Sequence, residues 1–162
     1  MATARSPNGF SMIEALIAVV LVGLSVTALV VASSSFTQAN GFGADLSTAE
    51  FLIEQIRELT VLLPVVDPET TTTTFGPEEA SLASYDDLDD LDDATFSPPI
   101  SASRAALSDL AAFSQQVIVQ NLSPTNFDMV VADHSSSFVR ITVNILQNGQ
   151  VISSTNWIRA KY

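Results

Sequence analysis

From Phe10 to Ala32 the chain is apolar at nearly every position, a run of 23 residues broken by Ser11, Glu14, Gly23, Ser25 and Thr27. As a helix at 1.5 Å per residue it would be about 34 Å long, against a bilayer core of about 30 Å. A soluble helix apolar all round would need core on every side, and the rest of the chain cannot provide it. The pattern therefore predicts a membrane span. Downstream the period changes: Ala49, Leu52, Ile53, Ile56, Leu59 and Leu63 recur at steps of three and four, with Glu50, Glu54 and Glu58 on the opposite side. That spacing predicts an amphipathic helix whose apolar face, Leu59 and Leu63 included, is core. Ser47 followed by Glu50 reads as a capping box, and Gly41 and Gly43 lie just upstream. Two helices with a flexible joint near residues 40–46, or one long helix weakened there, both fit. Pro64 and Pro68 end the element.

Residues 65–104 show no clear period. The stretch 65–101 holds the run Thr70–Thr74, four prolines and ten of the eighteen acidic residues without one Lys or Arg. It is expected to be a long surface loop or a partly disordered one. "AALSDLAAF" (105–113) suggests a short helical turn and "SQQVIVQNL" a first strand. In "SFVRITVNIL", Val139, Ile141, Val143 and Ile145 alternate with Arg140, Thr142 and Asn144, and Asn148–Gly149 signals a type I′ hairpin. A plain two-residue turn would pair Gln147 with Gln150, Ile145 with Ile152 and Val139 with Ile158. It would also set Arg140 across from Trp157 as a cation–π pair. The expected class is α+β: a long N-terminal hydrophobic helix continuing into an amphipathic helix, packed on a small antiparallel sheet. The divisions are a leader (1–9), a membrane helix (10–33), an amphipathic helix (34–64), an acidic loop (65–104) and a sheet region (105–162).

Charge orients the span. Arg5 precedes it, and Asp45, Glu50 and Glu54 come before the next base, Arg57. By the positive-inside tendency the N-terminus stays cytoplasmic and residues 33–162 are exported. A net charge of −12 opposes a nucleic-acid partner, and the absence of cysteine removes disulfides, thiol catalysis and Cys-ligated metal. An exported domain of this composition must be held by packing, by a bound ion or by neighbours.

The opening "GFSMIEALIAVVLVGL" combines a short polar leader ending in Gly9, aromatic Phe10, Glu14 at the fifth position after the glycine, and an apolar run. It resembles the class III leader of type IV pilins and pseudopilins, whose architecture has the same order of parts. The resemblance implies cleavage between Gly9 and Phe10 by a prepilin peptidase, methylation of the new amine, and an assembly role for Glu14. It further implies sister subunits and an inner-membrane assembly platform as partners, membrane lipid before assembly, and a bacterial inner-membrane location followed by a pilus or pseudopilus. A carboxylate at a helix centre costs about 2.5–3.5 kcal/mol on insertion scales, and the Phe10 amine of a neighbour could compensate Glu14. Many major pilins carry a proline within the span and a C-terminal disulfide. This chain has neither, which points to a minor pilin or an I-type minor pseudopilin.

Two rivals stay open. Val30–Val31–Ala32 approximates a signal-peptidase site, which would release a domain beginning at Ser33, and an uncleaved anchor would leave Glu14 to reach the headgroups. Either would make the chain an exported binding module with an acidic, metal-capturing loop. "YDDLDDLDD" fails as an EF-hand: counted from Asp87, Leu91 breaks the alternation, Asp92 takes the glycine position and Pro98 the glutamate position. It reads first as a solvated acidic turn, so no cofactor is expected, with calcium on Asp86, Asp87, Asp89 or Asp90 as the minor alternative. His134 beside Ser135–Ser137 lacks a nucleophile elbow, and Gly41–Phe42–Gly43 lacks the rest of a phosphate loop, so no catalytic residue and no enzyme activity is expected.

Overall fold

The structure is a computed structural model that describes residues 9–65 and 75–161. The leader residues 1–8, Pro68 and the run Thr70–Thr74 lie outside them. The chain divides into two compact units between Ala44 and Asp45. One α-helix, α1 (Met12–Leu62), runs through both sequence segments. Gly41 and Gly43 are helical, so the single long helix forms and not two. Ser47 consequently lies inside α1 and not at a helix N-terminus.

In the first unit every described side chain up to Phe42 is exposed, among them Ile17, Leu21, Leu24 and Val31. The hydroxyls of this stretch turn back on the helix: Ser25 donates to the Leu21 carbonyl (2.8 Å), Thr27 to Gly23 (2.9 Å) and Ser35 to Val31 (3.0 Å). Such bonds satisfy a hydroxyl without water, as an apolar surrounding requires.

The second unit is a helix-on-sheet layer. Phe113–Ser123 (β2), Phe138–Gln147 (β4) and Gln150–Ala160 (β5) form the antiparallel body of the sheet. The short β1 (Thr95–Phe96) and β3 (Asn126–Val130) both pair with β2. The predicted α1 face is buried, with Ala49, Leu52 and Ile56 fully enclosed. It joins Val117 and Val119 of β2 and Val139, Ile141, Val143 and Ile145 of β4 in one core. Gln115 ties the layers together. Its Nε2 donates to the carbonyls of Leu52 (2.9 Å) and Ile100 (3.1 Å), and its Oε1 accepts from the Ile100 N–H (2.7 Å).

Two expectations need correction. Asn148 and Gly149 have φ of 51° and 78°, as a type I′ turn requires, and Gln147 pairs with Gln150. The ladder then slips by one residue, so that Leu146 faces Val151 while Ile145 faces Ser153. Ile152 is the extra residue of a bulge, and every later residue of β5 is turned over relative to the plain hairpin. Ile145 therefore does not oppose Ile152, Val139 opposes Arg159 in place of Ile158, and Arg140 opposes Ile158. Trp157 lies opposite Ile141, and its cation is Arg57 of α1, with Cζ 4.9 Å from the ring centre.

The second correction concerns the acidic segment. Within the described part, residues 75–101, most of 77–84 is exposed, but 87–91 is packed and not a solvated turn: Leu88 and Leu91 are fully buried and Ile100 nearly so. Two 3₁₀ turns, Leu82–Ser84 and Asp89–Leu91, shape it. Leucines three apart share a side of a 3₁₀ turn, so the DDL repeat projects both into the core. Arg104 fastens the segment by donating to the carbonyls of Leu82 (3.1 Å), Ala83 (2.8 Å) and Tyr85 (2.6 Å). The "AALSDLAAF" stretch contains a third 3₁₀ turn at Ser108–Leu110.

Candidate functional site

Two places on the chain concentrate chemistry: the start of α1, and the acidic segment before β1. At the first, Gly9 and Phe10 precede the helix in exposed, non-helical backbone, and the Phe10 side chain is 82% exposed. Ser11 acts as the helix N-cap, its Oγ accepting from the Glu14 N–H (3.2 Å) while its carbonyl accepts from the N–H groups of Glu14 and Ala15. Ser11–x–x–Glu14 is a capping-box spacing, legible in the sequence beside the expected assembly role of Glu14. The Glu14 carboxylate is exposed in the first turn of α1. A carboxylate there is favoured by the helix dipole, and it stays available to an outside cation.

Beyond Glu14 the helix offers hydrocarbon on all sides. Its most apolar 18-residue window has a mean hydropathy of 2.8, and α1 is long and apolar enough to cross a membrane. Water would make so continuous an apolar surface costly.

At the second place, the four acids singled out from the sequence take different roles. Asp87 Oδ1 accepts from the N–H groups of Asp89 (3.0 Å) and Asp90 (3.2 Å), while Asp90 Oδ2 accepts from those of Asp86 (2.8 Å) and Asp87 (3.3 Å). The two side chains thus cap each other's turn. Asp89 Oδ2 receives the Gly76 N–H at 3.4 Å. Asp92 Oδ1 accepts from Val119 N–H (2.7 Å), which pins the segment to β2.

Only Asp90 of the expected four enters a carboxylate cluster. Its companions are Glu78 and Glu79, with one oxygen from each of the three within 4.8 Å of the others. No spacing rule links residues eleven and twelve apart across a turn, so the two glutamates were invisible beforehand. Asp90 Oδ1, Glu79 Oε2 and Asp87 Oδ2 are buried without a hydrogen-bond partner. Contact with the Asp90 carboxyl, helped by burial, raises the Glu79 pKa to about 7. Burial, then the neighbouring Asp89, raises Asp87 to about 8. Burial also lifts Asp92, against the Val119 N–H, and Tyr85, whose phenol faces the charges of Asp90 and Glu79.

His134 is exposed, as expected for a connecting loop, and meets Phe75 edge-on at 5.3 Å between ring centres. It borders a cavity of about 270 Å³ that Asp89, Asn121 and Lys161 also line. The Ser135 hydroxyl donates to the Ala132 carbonyl and not to His134.

No protein-family model, curated protein or solved structure matches the chain.

Proposed function

We propose that the protein is a pilin-like structural subunit, held in a membrane by α1 and then built into a fibre. The observation that carries this reading is the helix itself. Its first half is exposed and apolar on every side, and it begins at the Gly9–Phe10 junction with Glu14 in its first turn. Hydrocarbon on all sides suits lipid before assembly and sister helices afterwards, because packing in a fibre core replaces lipid contact without exposing the helix to water. The helix-on-sheet unit then serves as the exported, outward part.

The resemblance of the junction to the class III leader supplies the finer assignment. A prepilin peptidase cuts after Gly9 and methylates the Phe10 amine, and an inner-membrane platform receives the subunit with its N-terminus cytoplasmic. In the fibre the Glu14 carboxylate meets the Phe10 amine of a neighbour, which fixes the register of docking. The missing cysteine pair favours a minor pilin or minor pseudopilin. The work of the protein is assembly and not catalysis.

Intact mass and N-terminal sequence of the membrane-extracted protein from its native host test this directly. A chain beginning at methylated Phe10 supports the reading. A chain beginning at Ser33, or one retaining the leader, leaves Glu14 without the neighbouring amine and overturns it.

A further inference from the structure

At the end of α1 the apolar core gives way to a polar cavity. Asn121 continues the inward-facing row of Gln115, Val117 and Val119 along β2. It pairs with Val139, which faces Arg159, the residue whose guanidinium closes the last turn of α1. Here lies the cavity of about 270 Å³, bordered by Asn121, Asp89, Ser137, Lys161, Val65 and Phe75. Asn121 is 3% and Asp89 4% exposed, so both polar groups are carried inward. The Asn121 Oδ1 is buried with no donor, and among the described residues the Asp89 carboxylate receives only the Gly76 N–H, at 3.4 Å. The Lys161 N–H donates to the Ser137 carbonyl (2.8 Å), which fixes this lysine at the rim. Among the described residues neither Asp89 nor Lys161 belongs to an ion pair. A buried acceptor without a donor is costly, and so is a buried carboxylate without a cation.

We propose that this cavity binds a free α-amino acid with an apolar side chain, its ammonium on Asp89 and Asn121 and its carboxylate on Lys161 and the Ser137 hydroxyl. Charge selects the class. One acid and one base line the same space without pairing. An anion would meet Asp89 and a cation would meet Lys161, whereas a zwitterion complements both at once. A neutral polyol would leave both charges without a counter-ion. An ammonium brings three donors, enough for the Asn121 oxygen and the Asp89 carboxylate together. Val65 and Phe75 give the ligand side chain an apolar wall, and the His134 ring, edge-on at 5.3 Å, braces Phe75. The volume falls just below the range of common ligand pockets, about 300–1,000 Å³, so the occupant is small. The site stands whether or not the subunit enters a fibre.

The test is calorimetric titration of the full chain in detergent with L-leucine, L-valine, isocaproate, isoamylamine and glucose, each against detergent alone. L-Leucine or L-valine should bind once per chain with a Kd below about 1 mM. Isocaproate lacks the ammonium and isoamylamine the carboxylate, and each should bind about tenfold or more weaker than L-leucine. Lys161 is exposed, so Lys161→Met should fold as the wild type does. It should weaken L-leucine about tenfold or more without weakening isoamylamine, a split that a merely structural lysine would not give. Asp89→Asn should do the converse, weakening L-leucine but not isocaproate. Should Asp89→Asn fail to fold, Lys161→Met decides alone. No binding of either amino acid, glucose bound in their place, isoamylamine bound as tightly as L-leucine, or an L-leucine affinity unchanged in Lys161→Met would each overturn the site.

Discussion

Arg57 on α1 holds its guanidinium over the ring of Trp157 on β5, 4.9 Å from the ring centre. The pair joins the helix to the outermost strand of the sheet. Both residues are half-buried, and Arg57 keeps its ion pair with Glu54 as well. Arg57→Ala should destabilise the domain by about 0.5–1 kcal/mol, the range of a cation–π contact at a partly exposed site. Arg140→Ala, whose cross-strand neighbour is Ile158, should cost less. Denaturant unfolding of the two variants checks the ranking, and the reverse order would place Trp157 on the other face.

The bulge at Ile152 makes that contact possible. It directs Ser153, Thr155, Trp157 and Arg159 to the helix side, where Arg159 Nη1 donates to the carbonyls of Thr60 and Leu63 and closes the end of α1. Deleting Ile152 should remove the bulge and leave Trp157 opposite Ile141 and Arg159 opposite Val139, because the deleted residue is the unpaired one. The cation–π contact and charge-assisted hydrogen bonds, together worth about 2–4 kcal/mol, should survive. Trp157 emission should stay unshifted. A red shift with a stability loss of that size would mean that Ile152 is not the unpaired residue of the ladder.

Gln115 is the one fully buried amide of β2, and it spans helix, sheet and the Ile100 loop. Gln115→Leu keeps an apolar shape but leaves the Ile100 N–H buried without an acceptor. A loss of about 1–3 kcal/mol is expected. Gln116→Ala, on the half-exposed face beside Asn144, should stay within about 0.5 kcal/mol. Chemical denaturation of both separates the buried clamp from the surface contact.

How far the sequence could be read follows from where periodicity rules. α1, its buried face from Ala49 to Leu63, β2, β4 and the Asn148–Gly149 turn all carry a strong period or a conformational demand, and all form as expected. β5 carried neither. Val151 and Ile152 are adjacent apolar residues followed by Ser153, Ser154 and Thr155, so nothing in the pattern opposed a one-residue slip. The segment 75–101 read as solvated because its eight acids stand in four adjacent pairs with no Lys or Arg among them. Yet Leu88 and Leu91 are buried in the core and, with the Arg104 and Asp92 hydrogen bonds, anchor it, so their carboxylate neighbours are carried inward with them. The meeting of Glu78 and Glu79 with Asp90 depends on that tertiary placement, and no local rule encodes it.

Glu14 has two roles to separate, completion of the α1 N-terminus and engagement of a neighbouring subunit. If its contribution is only to the helix start, then Ser11→Ala and Glu14→Gln should behave alike. The Ser11 hydroxyl is the actual cap, so Ser11→Ala should fray the first turn at a cost of about 0.5–2 kcal/mol. It should leave incorporation into fibres near the wild-type level. Glu14→Gln keeps the size and the hydrogen-bonding capacity of the side chain and loses only the charge. In the membrane it should be tolerated at least as well as the wild type, because a neutral amide is cheaper in lipid than a carboxylate. In the fibre its amide oxygen can still accept from a protonated amine but brings no opposite charge, so incorporation should fall at least tenfold. Quantifying each variant in the membrane and sheared-fibre fractions of its native host tests the distinction. Equal incorporation of Glu14→Gln and wild type would reduce Glu14 to a helix-end residue and remove the charge pairing from the assembly mechanism.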